Sequence, residues 1–147
     1  DFVKPITYQH QAGEVWTKEL GFLRKTVLRD FTPDEATTAL VRVLGLHEAP
    51  FARSVAAGMD PDTYVHGQCV EAVRGVEGRA KVYMGIGVDA PRTRPDTARC
   101  STDIVRRSVL ATYRAGGDGV VLAPNYASMH LTHLDGVALA LDELGLR

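Results

Sequence analysis

Lys81-Val82-Tyr83-Met84-Gly85-Ile86-Gly87-Val88-Asp89 carries its apolar bulk on Val82, Tyr83, Ile86 and Val88 and runs into Asp89-Ala90-Pro91. It therefore reads as a buried strand delivered into a loop. A second stretch, Asp118 to Ala123, is apolar nearly throughout, as a parallel strand covered on both faces would be. Between them, Ser101 can cap a helix reaching about Ala115, with Ile104, Val105, Val109 and Thr112 on its inner side and Gly116-Gly117 closing it. A strand, a helix and a strand in that order are the unit from which parallel sheets are built.

Working outward, a final helix from about Ser128 to Leu144 places Leu131, Leu134, Ala138 and Leu141 together and stops at Gly145. Upstream, Asp60-Pro61 has the marks of a helix start, and Val65, Cys69, Val73 and Val76 share one face until Gly78. Thr32-Pro33-Asp34-Glu35 joins an N-cap, a proline at the first helical position and a reciprocal acidic residue, so a helix should run from there to Gly45. Val15 to Arg29 repeats Trp16, Leu20, Leu23 and Val27 at helical spacing, with a turn near Asp30. Phe2 to Tyr8 reads as a strand, which Pro5 marks as an edge or an irregular one.

The predicted order is strand, three helices, strand, helix, strand, helix. This is an α/β protein with parallel strands near 2–8, 81–88 and 118–123, right-handed crossovers, and a helical insertion over 15–58, all within one domain, 1–147. Three such strands leave two open edges, which proteins pair or cover, so further strands are expected upstream.

Composition excludes several classes. Hydrophobic residues at 45% and charged residues at 24% match a globular domain and rule out a disordered or fibrous chain. With a formal net charge of -1 and scattered Lys and Arg, no phosphate-binding footprint exists, and nucleic acid is not an expected partner. Apolar runs such as Gly119 to Pro124 fall far short of the roughly 20 residues a membrane helix needs, so no membrane partner is expected either. Cys69 and Cys100 lack metal-ligand spacing and read as reduced small hydrophobes, with an optional disulfide left open. The opening Asp1-Phe2-Val3 shows no targeting peptide, and the compartment stays open.

Three stretches carry a resemblance: Asp1-Phe2-Val3-Lys4-Pro5-Ile6-Thr7-Tyr8, then Lys81 to Asp89, then Gly116-Gly117-Asp118-Gly119-Val120-Val121-Leu122-Ala123-Pro124-Asn125-Tyr126-Ala127-Ser128-Met129. In this order the chain resembles the closing strands, six, seven and eight, of a glycoside-hydrolase-like family of (β/α)8 barrels. It departs from that pattern at Gly116-Gly117, where Gly-Ala is commoner. It departs again at Ala127-Ser128, where Ser-Glu is expected and where a carboxylate at the rim of the site is therefore lost. A complete barrel takes about 250 residues, so 147 residues would make the C-terminal portion of a (β/α)8 TIM barrel.

The resemblance implies a carbohydrate-active hydrolase working by carboxylate acid/base chemistry without a cofactor or metal. Its site would lie at the C-terminal ends of the strands. Asp89 follows a strand directly and is the catalytic candidate, as nucleophile, base or sugar-hydroxyl ligand. The bland alternative is that it caps the loop before Pro91. The substrate-binding candidates are Lys4, Tyr8, His10, Trp16, Asn125 and Tyr126. Tyr8 could stack on a sugar ring or pack under the next loop, and His10 could bond a hydroxyl. Lys4 points either into the barrel, where it needs a carboxylate, or out. Trp16 is a stacking platform or a core residue. Asn125 and Tyr126 could bind hydroxyls, with Asn125 as helix cap the alternative.

Glu14 reads as a dipole-complementing residue opening a helix, Arg92 and Arg94 as surface residues or an anion grip, and His130 and His133 as surface or packing residues. Only one carboxylate is well placed. Two other readings therefore stand beside the hydrolase. One is a barrel enzyme for a phosphorylated small molecule, for which Ala123-Pro124-Asn125 lacks the glycines wanted after the last strand. The other is a non-catalytic fragment that self-associates or pairs with a missing N-terminal half.

Overall fold

The computed structural model describes residues 1–7, 9–43, 60–88, 100–123 and 129–147, without the side chains of 10–12 and 14. The described chain is α/β. A three-stranded parallel sheet in the order β1 (Phe2–Val3), β2 (Lys81–Gly87), β3 (Gly119–Ala123) is joined by five described helices: α1 (Gln9–Leu23), α2 (Pro33–Val43), α3 (Tyr64–Val76), α4 (Thr102–Arg114) and α5 (Thr132–Glu143).

The first strand is shorter than its sequence promises, and Pro5 is the cause. Phe2 pairs with Lys81, Val3 with Val82 and, further on, Ile6 with Gly85, all in one register. In a parallel ladder of that register the Tyr83 carbonyl would take its hydrogen from residue 5, and proline has none to give. Past this gap the ladder resumes: Gly85 N donates to Pro5 O at 2.7 Å and Thr7 N to Gly85 O at 3.1 Å.

Val82, Met84, Ile86 and Val88 of the central strand point to one side and are buried, joined there by Val120 and Leu122 of β3. Leu40, Tyr64, Val65, Cys69 and Ala111 close over one half of this side, with Trp16 and Leu20 packed against them. Val105, Val109, Leu110 and Ala140 close over the other half. The opposite face presents Tyr83, Gly85, Gly87, Gly119, Val121 and Ala123, none of which enters either core cluster. The described helices that form the two core clusters thus lie on one side of the sheet.

The helices follow the sequence signals at some ends and not at others. Thr32 N and Oγ1 both donate to Glu35 Oε2 at 2.8 Å, and Glu35 N donates back to Thr32 Oγ1 at 3.3 Å, which is the reciprocal cap expected for α2. These bonds hold the Glu35 carboxyl below its ordinary pKa. Ser101 caps α4 by accepting from Ile104 N at 3.2 Å. Glu77 at φ 51 and Gly78 at φ 73 stop α3 in left-handed backbone.

Two stripes are corrected. Helix α1 starts at Gln9 and ends at Leu23, after which Thr26 Oγ1 takes Phe22 O at 3.1 Å and Leu23 O at 3.3 Å. There the backbone tightens, with Lys25 N donating to Phe22 O and Thr26 N to Leu23 O, and Val27 is 75% exposed instead of lying on the stripe. Glu14 consequently falls in the second turn and does not open the helix. In α5 the buried face is His133, Gly136 and Ala140, while Leu131 and Leu134 are exposed. Gly136 decides this: a Cβ there would stand 2.3 Å from Thr102 O, so α4 and α5 meet through backbone where no leucine would fit.

Candidate functional site

Polar side chains gather where β2 ends. Gln9 is fully buried; its Nε2 donates to Gly87 O at 3.2 Å and its Oε1 accepts from Gly87 N at 3.3 Å. Continued in register, the β1–β2 ladder would satisfy these same two atoms with the backbone of residues 7 and 9. The chain has already turned into α1, and the Gln9 carboxamide, which has the donor and acceptor of a peptide group, takes the place of that rung. Thr7 Oγ1 donates to Gly85 O at 3.0 Å one step back, and Cys100 Sγ lies 3.4 Å from Gly87 O.

The fourth member is His133, 3% exposed, with Nδ1 at 2.7 Å from the Val88 carbonyl oxygen. Val88 N in turn donates to Ala123 O at 2.9 Å, so β2 and β3 are still paired at the level where the histidine docks. Thr7, Gln9, Cys100 and His133 therefore bond backbone groups between Gly85 and Val88, from the segment after β1, the start of α1, the entry to α4 and the first turn of α5.

The sequence-derived candidates fall differently. Tyr8, Asp89, Asn125 and Tyr126, with Arg92 and Arg94, lie outside the described residues, as does the side chain of His10. Lys4 is exposed. Trp16 is half-buried against the core and its Nε1 donates to the Tyr64 hydroxyl at 3.3 Å, the core-packing alternative. Burial raises the Tyr64 hydroxyl pKa, and the bond from Trp16 offsets part of that rise. His130 is exposed and His133 is buried, so two residues of one spacing have separate surroundings.

Thr7, Gln9 and Cys100 carried no site motif, and His133 read as a surface or packing residue. The available signal was position: each stands beside a strand end or at a helix entry, where a buried polar group needs a backbone partner.

The opposite end of the sheet holds a cleft of about 380 Å³ lined by Val73, Val76, Lys81, Val82, Gly116 and Asp118 among others. Two of its charged residues, Lys81 and Asp118, are paired with each other. Lys81 Nζ donates to Asp118 Oδ1 at 2.7 Å and Val82 N to Asp118 Oδ2 at 2.8 Å, which lowers the Asp118 carboxyl pKa and raises that of Lys81. This clamp fixes the start of β3 against the start of β2. Cys69 lies near it, buried, with its thiol pKa pushed up chiefly by burial, and so is an unreactive core residue.

Compared with family models, curated proteins and solved structures, the chain matches none. Among the described residues no group of three or more His, Cys, Asp and Glu is placed to hold a metal ion, and no helix is long and apolar enough to cross a membrane.

Proposed function

We propose that this chain is the closing part of a (β/α)8 barrel and that it serves a carbohydrate-active hydrolase, with Asp89 contributing a carboxylate to a site at the C-terminal ends of the strands. The observation that carries the reading is the convergence of Thr7, Gln9, Cys100 and His133 on Gly85, Gly87 and Val88 at the end of the central parallel strand. Barrels build their sites on that side and use the opposite side for stability. The Lys81–Asp118 clamp at the opposite end fits such a division.

A one-sided helical layer also supports the reading, since a barrel keeps its helices outside and its strands' other faces inside. Small residues dominate that inner-type face here, with Gly85, Gly87, Gly119 and Ala123 leaving Tyr83 and Val121 as its bulk. Glycoside hydrolysis then asks Asp89 to act as nucleophile or base, with a partner acid across the scissile bond.

The test is hydrolysis of a panel of aryl glycosides and ligand-observed NMR with free mono- and oligosaccharides, using the longest natural chain that contains this sequence. At least one sugar should bind, and Asp89→Asn should lower turnover about 100-fold or more with binding retained. Absence of both binding and turnover across the panel would refute the hydrolase.

A further inference from the structure

The hydrogen bonds along β1 and its continuation alternate in direction. Asp1 O accepts from Lys81 N, Pro5 O accepts from Gly85 N, and Thr7 N donates to Gly85 O, so the odd-numbered residues face β2. The N–H and C=O groups of Phe2, Lys4 and Ile6 therefore point to the open edge, and among the described residues nothing bonds them. Pro5 interrupts only the ladder to β2. On the outer edge each residue that must donate has its N–H, so that edge is continuous from Phe2 to Ile6.

The side chains of these three residues share the face that the two core clusters leave aside. Phe2 stands beside Tyr83 there, with ring centroids 5.5 Å apart, and Ile6 lies against Gly85. Phe2 is 62% exposed and Ile6 57%, and strand alternation puts Lys4 between them. Lys4 is exposed and forms no ion pair among the described residues. Unpaired backbone groups, with two large apolar side chains flanking a cation, make this edge a template for a further strand.

We propose that the outer edge of β1 takes a parallel strand whose residue facing Lys4 is an aspartate or glutamate, with apolar side chains two positions to either side that meet Phe2 and Ile6. The inference rests on the barrel reading for the strand's source, which is the neighbouring strand of the same barrel. Lys4 decides the charge. A second copy of the chain fits this edge poorly. Two β1 edges related by a two-fold axis and paired along their full length set Phe2 against Ile6 and Lys4 against Lys4. The two Lys4 Cα atoms would then be about 5.5 Å apart, and like charges directly opposite each other destabilise a strand pair. An acidic strand turns the same position into an attraction. Its apolar side chains also cover Phe2 and Ile6 and keep water from the ion pair, which strengthens it.

A tethered strand tests this without altering any residue of the chain. The heptapeptide Thr-Val-Thr-Glu-Thr-Val-Thr, which sets Val, Glu and Val on one face, is fused ahead of Asp1 through a flexible Gly/Ser linker. About 15 linker residues span about 20 Å, enough to return from the end of the added strand to the start of β1. Two further fusions carry Gln or Lys in place of the Glu. Amide hydrogen exchange at Phe2, Lys4 and Ile6 is compared among the three fusions and with the untethered chain.

The Glu fusion should protect all three amides, with exchange about threefold slower than in the Gln fusion and slower by more than that against the Lys fusion. Added salt should narrow both gaps. Equal exchange in the three fusions overturns the proposal. So does protection of the Lys4 and Ile6 amides in the untethered chain together with a dimer in analytical ultracentrifugation. No glycoside enters these measurements, so a chain that takes up the acidic strand and hydrolyses no sugar keeps this inference and loses the hydrolase.

Discussion

Replacing Gly136 by alanine is expected to destabilise the protein, although alanine is the better helix former. The propensity gain is about 1 kcal/mol. Against it, the new Cβ would lie 2.3 Å from Thr102 O, 3.1 Å from Arg106 N and 3.1 Å from Val105 Cβ. Two of these obstacles are backbone atoms of α4 and cannot rotate away, so the helices must separate by about 1 Å to restore an ordinary contact near 3.5 Å. Overpacking of this kind costs about 1–3 kcal/mol, and the rigid obstacle argues for the upper part of that range. The net loss should be about 1–2 kcal/mol, a fall of roughly 3–8 °C in Tm for a domain of this size. Gly75, near the end of α3, supplies the control, since a Cβ there meets nothing within 4 Å. Gly75→Ala should raise stability by about 0.5–1 kcal/mol. Thermal and urea unfolding of the two variants checks both signs. Equal responses, or a stabilised Gly136→Ala, would refute the close approach of α4 and α5.

Gln9→Ala strips the surrogate rung from Gly87 and leaves a buried N–H without an acceptor, a loss of about 1–3 kcal/mol measurable by urea unfolding. Gln9→Glu should also destabilise near neutral pH, because a carboxylate faces the Gly87 carbonyl, and should recover on acidification as the protonated acid regains a donor. Asp118→Asn removes the Lys81 clamp. The native Asp118 carboxyl is held below its ordinary value, so its contribution is present above the unfolded pKa of about 4 and fades as pH falls through the lower native value. The Tm gap between wild type and Asp118→Asn should therefore be open at neutral pH and close in acid.

The parts of the fold that sequence reasoning reached are those whose causes are local. A seven-residue strand from Lys81 to Gly87 shows in its own bulk, and the cap of α2 is written in Thr32 and Glu35. The face of α5 was missed because its periodicity suits two stripes. Leu131 and Leu134 are as apolar as the burial pattern wants, yet the choice is made by Thr102 and Val105 on another helix pressing on Gly136. The start of α1 was missed because Gln9 is recruited by Gly87, 78 positions away. At the site the same distinction holds. Asp89, read from its place after a strand, lies outside the described residues, while the burial of His133 depends on Val88 coming to meet it across 45 positions.

The pairing of Gln9 with Gly87 ties the last turn of the ladder to the persistence of a helix end. An ordinary rung opens when two strands part, but this one opens whenever the first turn of α1 frays, since Gln9 is its first residue. Hydrogen exchange at the Gly87 amide should thus report on that helix terminus and exchange sooner than the amides of Gly85 or Val88 beside it. The site end of the central strand is in this sense the least cooperative part of the sheet, able to loosen by one residue without unzipping the rest.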